Sequence, residues 1–369
     1  MRLTIAALLT LLFPVTARAE VTLEDIIENV TRNEALYDEL DVVLLTEHEL
    51  HAKEPATSDD GGVSQLTGLD TRTRFVAQGG LFRIDRTGSQ STAEATGSMD
   101  RRRAFDGTTT RLLDKGLIGN VKQGRAEDAD AIRPHMMMFR PTLIHVPLST
   151  YLAGHHAMTS HPLGNWQDRF TLRNAYEGEE EFNGLKCHKV SITTYTGPAT
   201  PHDRWDLWLA QDRNYLPVRL VAYTFHCSST VPLGESVVDE MRQIEAGVWF
   251  PFHVQVSGFN PWLVQAKGEQ KLLWRQTFVT EEVSLHPNHP PEYFSDVTFP
   301  AGTAVYEVSG AQITRSYVIG APNDVDNRSS STAVRGWLLI VANIVGVIIV
   351  VLLVAKQLAR RSPGKRGIE

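Results

Sequence analysis

From residue 41 to residue 308 the chain returns again and again to one pattern: a short run of strand-forming residues, then a tight turn. The runs "DVVLLTEHEL", "TRTRFVAQ", "GGLFRIDRTG" and "RRAFDGTTTRLLDKG" are joined by Gly or Asp-Gly, with a hairpin corner at Phe105-Asp106-Gly107. Connections this short reverse the chain, so successive strands pair antiparallel. Further on, "DRFTLRNAYEGEEEFNGLKCHKVSITTYTG" turns at Asn183-Gly184, a strong hairpin signal. "SVVDEMRQIEAGVWFPFHVQVSGF" turns at Ala246-Gly247, "GEQKLLWRQTFVTEEV" adds a strand, and "PEYFSDVTFPAGTAVYEV" closes the domain. The fold class is therefore mainly β with a few helices (α+β). No internal repeat is evident.

One hairpin is apolar on both faces. In "RWDLWLAQDRNYLPVRLVAY", residues 204–223, Trp205, Leu207 and Leu209 take one side, and Trp208 and Ala210 the other. A half-buried strand alternates apolar with polar residues. Here the second side also needs a cover, whether helix, sheet, membrane or apolar ligand.

Two segments break the strand pattern. "TLEDIIENVTRNEALYDEL" begins with Thr22 and Asp25 at capping-box spacing, and Ile26, Ile27, Val30 and Leu36 recur at near-helical intervals, which predicts an amphipathic first helix. The stretch 128–158, rich in Pro, Met and Leu, predicts a short helix or two with irregular chain. Its Met136, Met137, Met138 and Phe139 are contiguous and cannot all face one core. Methionine is common where varied apolar partners bind.

The ends carry targeting signals. A basic start, the apolar "LTIAALLTLLFPVT" and "ARA" at 17–19 make residues 1–19 a secretory signal peptide. The exported domain is expected over 20–310 and a linker over 311–335, polar and pattern-free from 321. "GWLLIVANIVGVIIVVLLVA", residues 336–355, has no charge and the length of one transmembrane helix. Lys356, Arg360, Arg361, Lys365 and Arg366 follow, so the tail 356–369 is expected on the cytoplasmic side. The formal charge of the whole chain is −7 although this tail is basic. An acidic exported part argues against a nucleic-acid partner, which selects a basic face, and against electrostatic adhesion to anionic lipid.

The two cysteines, Cys187 and Cys227, can form a disulfide in an exported protein or remain buried thiols. His48 and His51 in "HELH" are three apart rather than one helical turn, and point to opposite faces of a strand. His155, His156 and His161 lack a neighbouring carboxylate or cysteine, so no metal is expected. No nucleophile elbow, phosphate loop or dinucleotide fingerprint occurs, and the chain is read as non-enzymatic without a cofactor. What remains is the apolar excess. Met136, Met137, Met138, Phe139, Trp205, Trp208, Trp249 and Trp274 are the candidate ligand-binding residues. Each taken singly fits a sheet core; together with the two-faced hairpin they fit a concave sheet with an apolar pocket.

The order of signal peptide, first helix and strands with "FDG" near 105 resembles the LolA/LolB lipoprotein-carrier fold. "EFNGLKCHKVSI", "WDLWLAQDRNYLPVRLVAY", "GVWFPFHVQV" and "FPAGTAVYEV" are similar to later strands of LolA-like and RseB-like envelope proteins. The resemblance covers most of 21–310. It implies a curved, unclosed antiparallel β-barrel wrapped around helices, whose hollow takes acyl chains in the carriers. In RseB-like regulators that hollow senses exported lipid-bearing signals, and the protein contacts a membrane protein partner. The implied location is the inner (cytoplasmic) membrane, with the N-terminal domain in the periplasm. A tethered chain departs from a soluble carrier, which shuttles. The expected function is acyl-chain binding at the membrane; the alternative is an RseB-like regulator that binds a partner protein.

Overall fold

The computed structural model describes residues 21–51, 66–92, 96–125, 132–139, 147–155, 170–309 and 312–320. The signal peptide, the apolar run 336–355, the basic tail, His156 and His161 lie outside them. The chain divides into two compact units, Met1–Ile319 and Gly320–Glu369, and of the second only Gly320 is described. Among the described residues no helix is long and apolar enough to cross a membrane.

Among the described residues fifteen strands form one sheet: β1 (Leu40–Leu50), β2 (Leu66–Gln78), β3 (Leu81–Thr92), β4 (Thr96–Phe105), β5 (Thr109–Asp114), β6 (Ile118–Gln123), β7 (Phe170–Phe182), β8 (Leu185–Thr196), β9 (Thr200–Ala210), β10 (Pro217–Thr224), β11 (Gly234–Glu245), β12 (Val248–Phe259), β13 (Leu272–Ser284), β14 (Ala304–Ser309) and β15 (Gln312–Val318). Their spatial order is β15-β14-β6-β5-β4-β3-β2-β1-β13-β12-β11-β10-β9-β8-β7. Two meanders, β1 to β6 and β7 to β13, are thus joined side by side through β1 and β13. The outer strands β15 and β7 do not pair with each other, so the barrel is unclosed. The C-terminal hairpin joins through β14, parallel to β6, with Ala304 opposite Ile118.

Among the described residues four helices accompany the sheet: α1 (Leu23–Glu34), α2 (Leu148–Leu152), α3 (Pro261–Lys267) and α4 (Glu292–Ser295). Thr22 and Asp25 close the predicted capping box of α1. Ile26 and Val30 are buried, whereas Leu36 lies beyond the helix and is exposed. The Met-rich stretch forms a 3-10 turn, Pro134–Met137, and α2. Two strands, β6 and β15, and two helices, α3 and α4, were not legible in the sequence. β6 and α3 are short, and β15 occupies 312–318 inside the stretch assigned to the linker, with six of its seven residues exposed. The domain therefore runs to Ile319.

Tight turns follow the sequence signals. Asn183 and Gly184 both have positive φ, 50° and 78°, as a two-residue hairpin requires. At the Phe105-Asp106-Gly107 corner, Asp106 accepts from the amides of Thr108 and Thr109 at 2.9 and 2.8 Å and pairs with Arg111 at 2.5 Å. Partial burial works to raise its carboxyl pKa, but the hydrogen bonds from Arg111 and the two threonines outweigh it and hold the group far below its ordinary 3.8. A depressed carboxyl stabilises the fold above the unfolded value, and that contribution is lost as pH falls. Asp106→Asn should cost about 1–2 kcal/mol at neutral pH and flatten the acid limb of stability, measured by urea melts from pH 7 to 2. An unchanged acid limb would refute the assignment.

The two-faced hairpin buries both faces. Trp205, Leu207, Leu209 and Leu220 join the main core with residues from α1, α2, the 3-10 turn and strands β1 to β4 and β8 to β13. Trp208, Ala210, Val218 and Val221 form a separate cluster with Cys187 on the outer face. Its cover is cationic: Lys189 and Arg219 lie 4.9 and 4.7 Å from the Trp208 ring centre, and the indole N–H donates to Glu180 at 2.8 Å. Long basic side chains lay their stems on apolar surface while their charges reach water.

Cys187 and Cys227 are both free, so the disulfide is not formed. Cys187 stands opposite Ala210, while Cys227 follows Thr224, the partner of Asp203. Seven residues along β9 separate those points, about 23 Å, against the roughly 7 Å Cα limit of a bridge. Burial pushes the Cys187 thiol up to about 11. Two thiols should react with a thiol reagent after unfolding without reductant, and Cys227, the less buried, should react first in the native protein. Recovery of fewer than two after unfolding would contradict the structure.

Candidate functional site

The inner face of the sheet is apolar over most of its width. Alternation along the strands sends Val190 and Ile192 of β8, Phe250, Phe252 and Val254 of β12, Phe278 of β13 and Phe75 of β2 into one continuous core. In an open half-barrel these side chains would line a hollow. Here the chain's own segments occupy it. Ile26 and Val30 enter from α1, Leu148, Tyr151 and Leu152 from α2, and Met137, Met138 and Phe139 from the 3-10 turn and its end.

The inserted segment is packed through rings and held by polar contacts at its margins. Phe139 meets His135 and Tyr151 edge-on, with ring centres 6.1 and 6.2 Å away, and Tyr151 meets Trp205 at 6.1 Å. The Ser236 hydroxyl on β11 donates to the Met138 carbonyl at 2.7 Å. Helix α2 is gripped at both ends. Glu34, the last residue of α1, accepts from the Leu148 and Ser149 amides and from the Ser149 hydroxyl. A carboxylate at a helix N-terminus meets unpaired N–H groups there. Asn174 on β7 donates its side-chain amide to the carbonyls of Tyr151 and Leu152 at 3.0 and 2.5 Å. Burial raises the Glu34 pKa, and its hydrogen bonds to Ser149 and Leu148 oppose that shift. Burial also raises the Tyr151 hydroxyl far above its ordinary value.

Beside this clamp, Val30, Glu34, Tyr37, His135, Leu148 and Tyr215 border a cavity of about 20 Å³. That holds about one water molecule; small-molecule sites measure hundreds of Å³. The cleft is therefore no acyl-chain site as it stands, and among the described residues the chain's own side chains occupy the hollow.

The candidate residues separate accordingly. Met137, Met138, Phe139 and Trp205 are buried in the hollow, and Met136 is half-buried beside them. Trp274 lies on the inner face near the far end of β13, stacked on His48 with ring centres 5.6 Å apart. Its ring crosses Gly258, where any Cβ would stand 2.2 Å from the indole. Trp208 faces outward, as described. Trp249 also faces outward, half-buried, with the Arg213 guanidinium 3.6 Å from its ring centre. These two do not reach the hollow: their neighbours Leu207, Leu209, Val248 and Phe250 do, and alternation sends the tryptophans the other way. The sequence reading missed Glu34, Asn174 and Ser236. Each is a single polar residue on an otherwise ordinary helix or strand, and only tertiary contact gives it a role. Among the described residues no three His, Cys, Asp or Glu side chains form a metal-binding group.

The fold and its contents define an unclosed, curved antiparallel β-sheet with its hollow filled by its own Met-rich segment. No family model and no curated protein matches the chain. Solved structures similar to it include a DUF1329 family protein from Desulfovibrio piger, 11% identical, with a TM-score of 0.38 over 76% of this chain and 100% of that one. A putative outer membrane lipoprotein-sorting protein domain from Vibrio parahaemolyticus is 10% identical, with a TM-score of 0.36 over 74% and 95%. The MucA/MucB complex from Pseudomonas aeruginosa is 11% identical, with a TM-score of 0.23 over 71% and 94%. Each of these likenesses is one of fold alone.

Proposed function

We propose that this chain is a membrane-tethered protein of the cell envelope that binds the acyl chains of a lipid or lipoprotein, without catalysis, in the hollow of its sheet. Residues 336–355 serve as its span in the inner membrane, with the sheet domain in the periplasm and the basic tail in the cytoplasm. The observation that carries the reading is the nature of the filling. Beside α1 and α2, the continuous apolar face is covered by Met137, Met138 and Phe139, at and just past a single 3-10 turn. Methionine adapts its shape to its surroundings, so an acyl chain can take the place of these side chains at small cost in packing.

The test is native mass spectrometry of residues 20–320, the portion that includes the compact unit ending at Ile319, followed by lipid extraction. A retained lipid mass, or uptake of an added acyl probe in one-to-one ratio, is the expected result. A clean protein mass that refuses every acyl probe would end the proposal. The filled hollow itself favours a second reading, in which the domain binds a partner protein and reports envelope state. Stoichiometric recovery of a membrane protein with the full chain, together with no bound lipid, would select it.

A further inference from the structure

We infer that Glu34 is a proton-controlled latch on the segments that fill the hollow, holding them more tightly in acid and loosening them as the pH rises. The carboxylate stands where three pieces of the chain meet. It is the last residue of α1. It accepts from the Leu148 and Ser149 amides and from the Ser149 hydroxyl at the start of α2. Its Oε1 also lies 3.9 Å from Nδ1 of His135 in the 3-10 turn. Both described pieces of the filling therefore meet one acid. The site is shut in: the Glu34 side chain is 17% exposed and that of His135 3%. The cavity beside them has room for about one water molecule.

Such a place is poor ground for a charge, because a carboxylate taken out of water needs compensation for the hydration it loses. Among the described residues the charged and titratable groups that face Glu34 are Arg133 and His135 from the 3-10 turn and the residue before it, Tyr37 from the turn after α1, and Tyr215 from the β9–β10 turn. Asn33 and Asn214 complete that side and are neutral. Burial works hardest against the ionised form. The hydrogen bonds from Ser149 and Leu148 and the charge of Arg133 offset it only in part, so the carboxyl pKa stands above its ordinary 4.5.

An open arrangement, with Glu34 in water, returns the group to its ordinary value. The closed arrangement therefore binds the proton more tightly. Its advantage is complete below pH 4.5, fades as the pH rises toward the raised value and is gone above it. The closed-to-open ratio falls about tenfold for each unit that separates the two values. The fold as a whole moves the other way, because the carboxyls of Asp106 and Asp41 are held low and lose their contribution in acid. A latch that tightens in acid thus stands out against a background that weakens.

The inference rests on the reading of the hollow as an acyl site, but its test uses no lipid. The full chain in detergent is exposed to hydrogen peroxide from pH 4 to pH 8. Sulfoxide at Met137 and Met138, both buried, is followed by peptide mass spectrometry. Their oxidation should rise severalfold toward neutral pH. Glu34→Gln keeps the shape and cannot ionise, so oxidation should stay slow across the range. Ser149→Ala removes a hydrogen bond that favours the ionised form. It should extend the rise to higher pH and leave the acid end unchanged, and it carries the test if the glutamine variant does not fold. A merely loosened segment would oxidise faster at every pH. A flat profile in the parent, or the parent's profile retained in Glu34→Gln, overturns the latch and leaves acyl binding to its own experiment. The expected profiles together with refusal of every acyl probe keep the latch and end the reading of the hollow as an acyl site.

Discussion

Phe139→Ala should weaken the fold and strengthen acyl binding at once. Phe139 is 1% exposed and touches His135 and Tyr151 within the hollow. Truncating such a ring costs about 3–5 kcal/mol through lost transfer energy and the cavity left behind. That is a large part of the 5–15 kcal/mol that holds an ordinary domain. In a rigid core the cavity stays empty. In a hollow meant for acyl chains, the vacated space becomes a site, and a fatty-acid probe should raise the melting temperature of the variant well above any rise in the parent, by mass action on the folded state. Phe294→Ala is the control. Phe294 is fully buried, packed edge-on to Tyr293 at 5.3 Å, and belongs to α4, which lies against β3 and β4 away from the hollow. It should lose similar stability and gain nothing from the probe. Equal rescue of both variants would mean that the probe binds loosened protein in general, and no rescue of either would mean that the hollow is a closed core.

Gly88→Ala should cost about 3 kcal/mol or more and damage the first meander as a whole. Gly88 sits mid-strand in β3, opposite Thr71 of β2 and Met99 of β4, with φ at 145°. An L side chain rarely adopts that backbone. A Cβ there would stand 2.0 Å from the Asp70 carbonyl oxygen and 2.7 Å from the Thr71 Cα. The obstacle is backbone, so no rotamer change relieves it, and both strain and overpacking apply. Urea unfolding followed by tryptophan emission measures the loss. A change under 1 kcal/mol would show that β2 and β3 can separate at this point without harm.

Much of the sheet was legible because its turns are chemically specific. Asp106-Gly107, Asn183-Gly184 and Ala246-Gly247 each reverse the chain where the sequence places the turn. The capping pair Thr22 and Asp25 marks the start of α1 to the residue. Neighbour relations beyond hairpins were not legible. Nothing local to Leu50 and Trp274 tells that they pair, and nothing in β14 announces a parallel partnership with β6. The tryptophans were read by type. Alternation already sets Trp205 and Trp208, three positions apart, on opposite faces; which face meets the core was decided only by the neighbouring strands. The filling of the hollow was equally hidden, since contiguous Met136 to Phe139 have the same composition whether they wait for a ligand or replace one.

The pairing of β1 with β13 also sets a schedule. Leu50 meets Trp274, more than 200 residues later in the chain. At a synthesis rate of about 5–20 residues per second, that partner appears roughly 10–45 s after β1. For that interval the first meander is complete on one side only, and the β1 edge, with "DVVLL" in it, is a template for any other extended chain nearby. Newly made protein is thus most open to aggregation before its second half arrives, and a factor that shields β1 during those seconds would raise yield without touching the finished molecule.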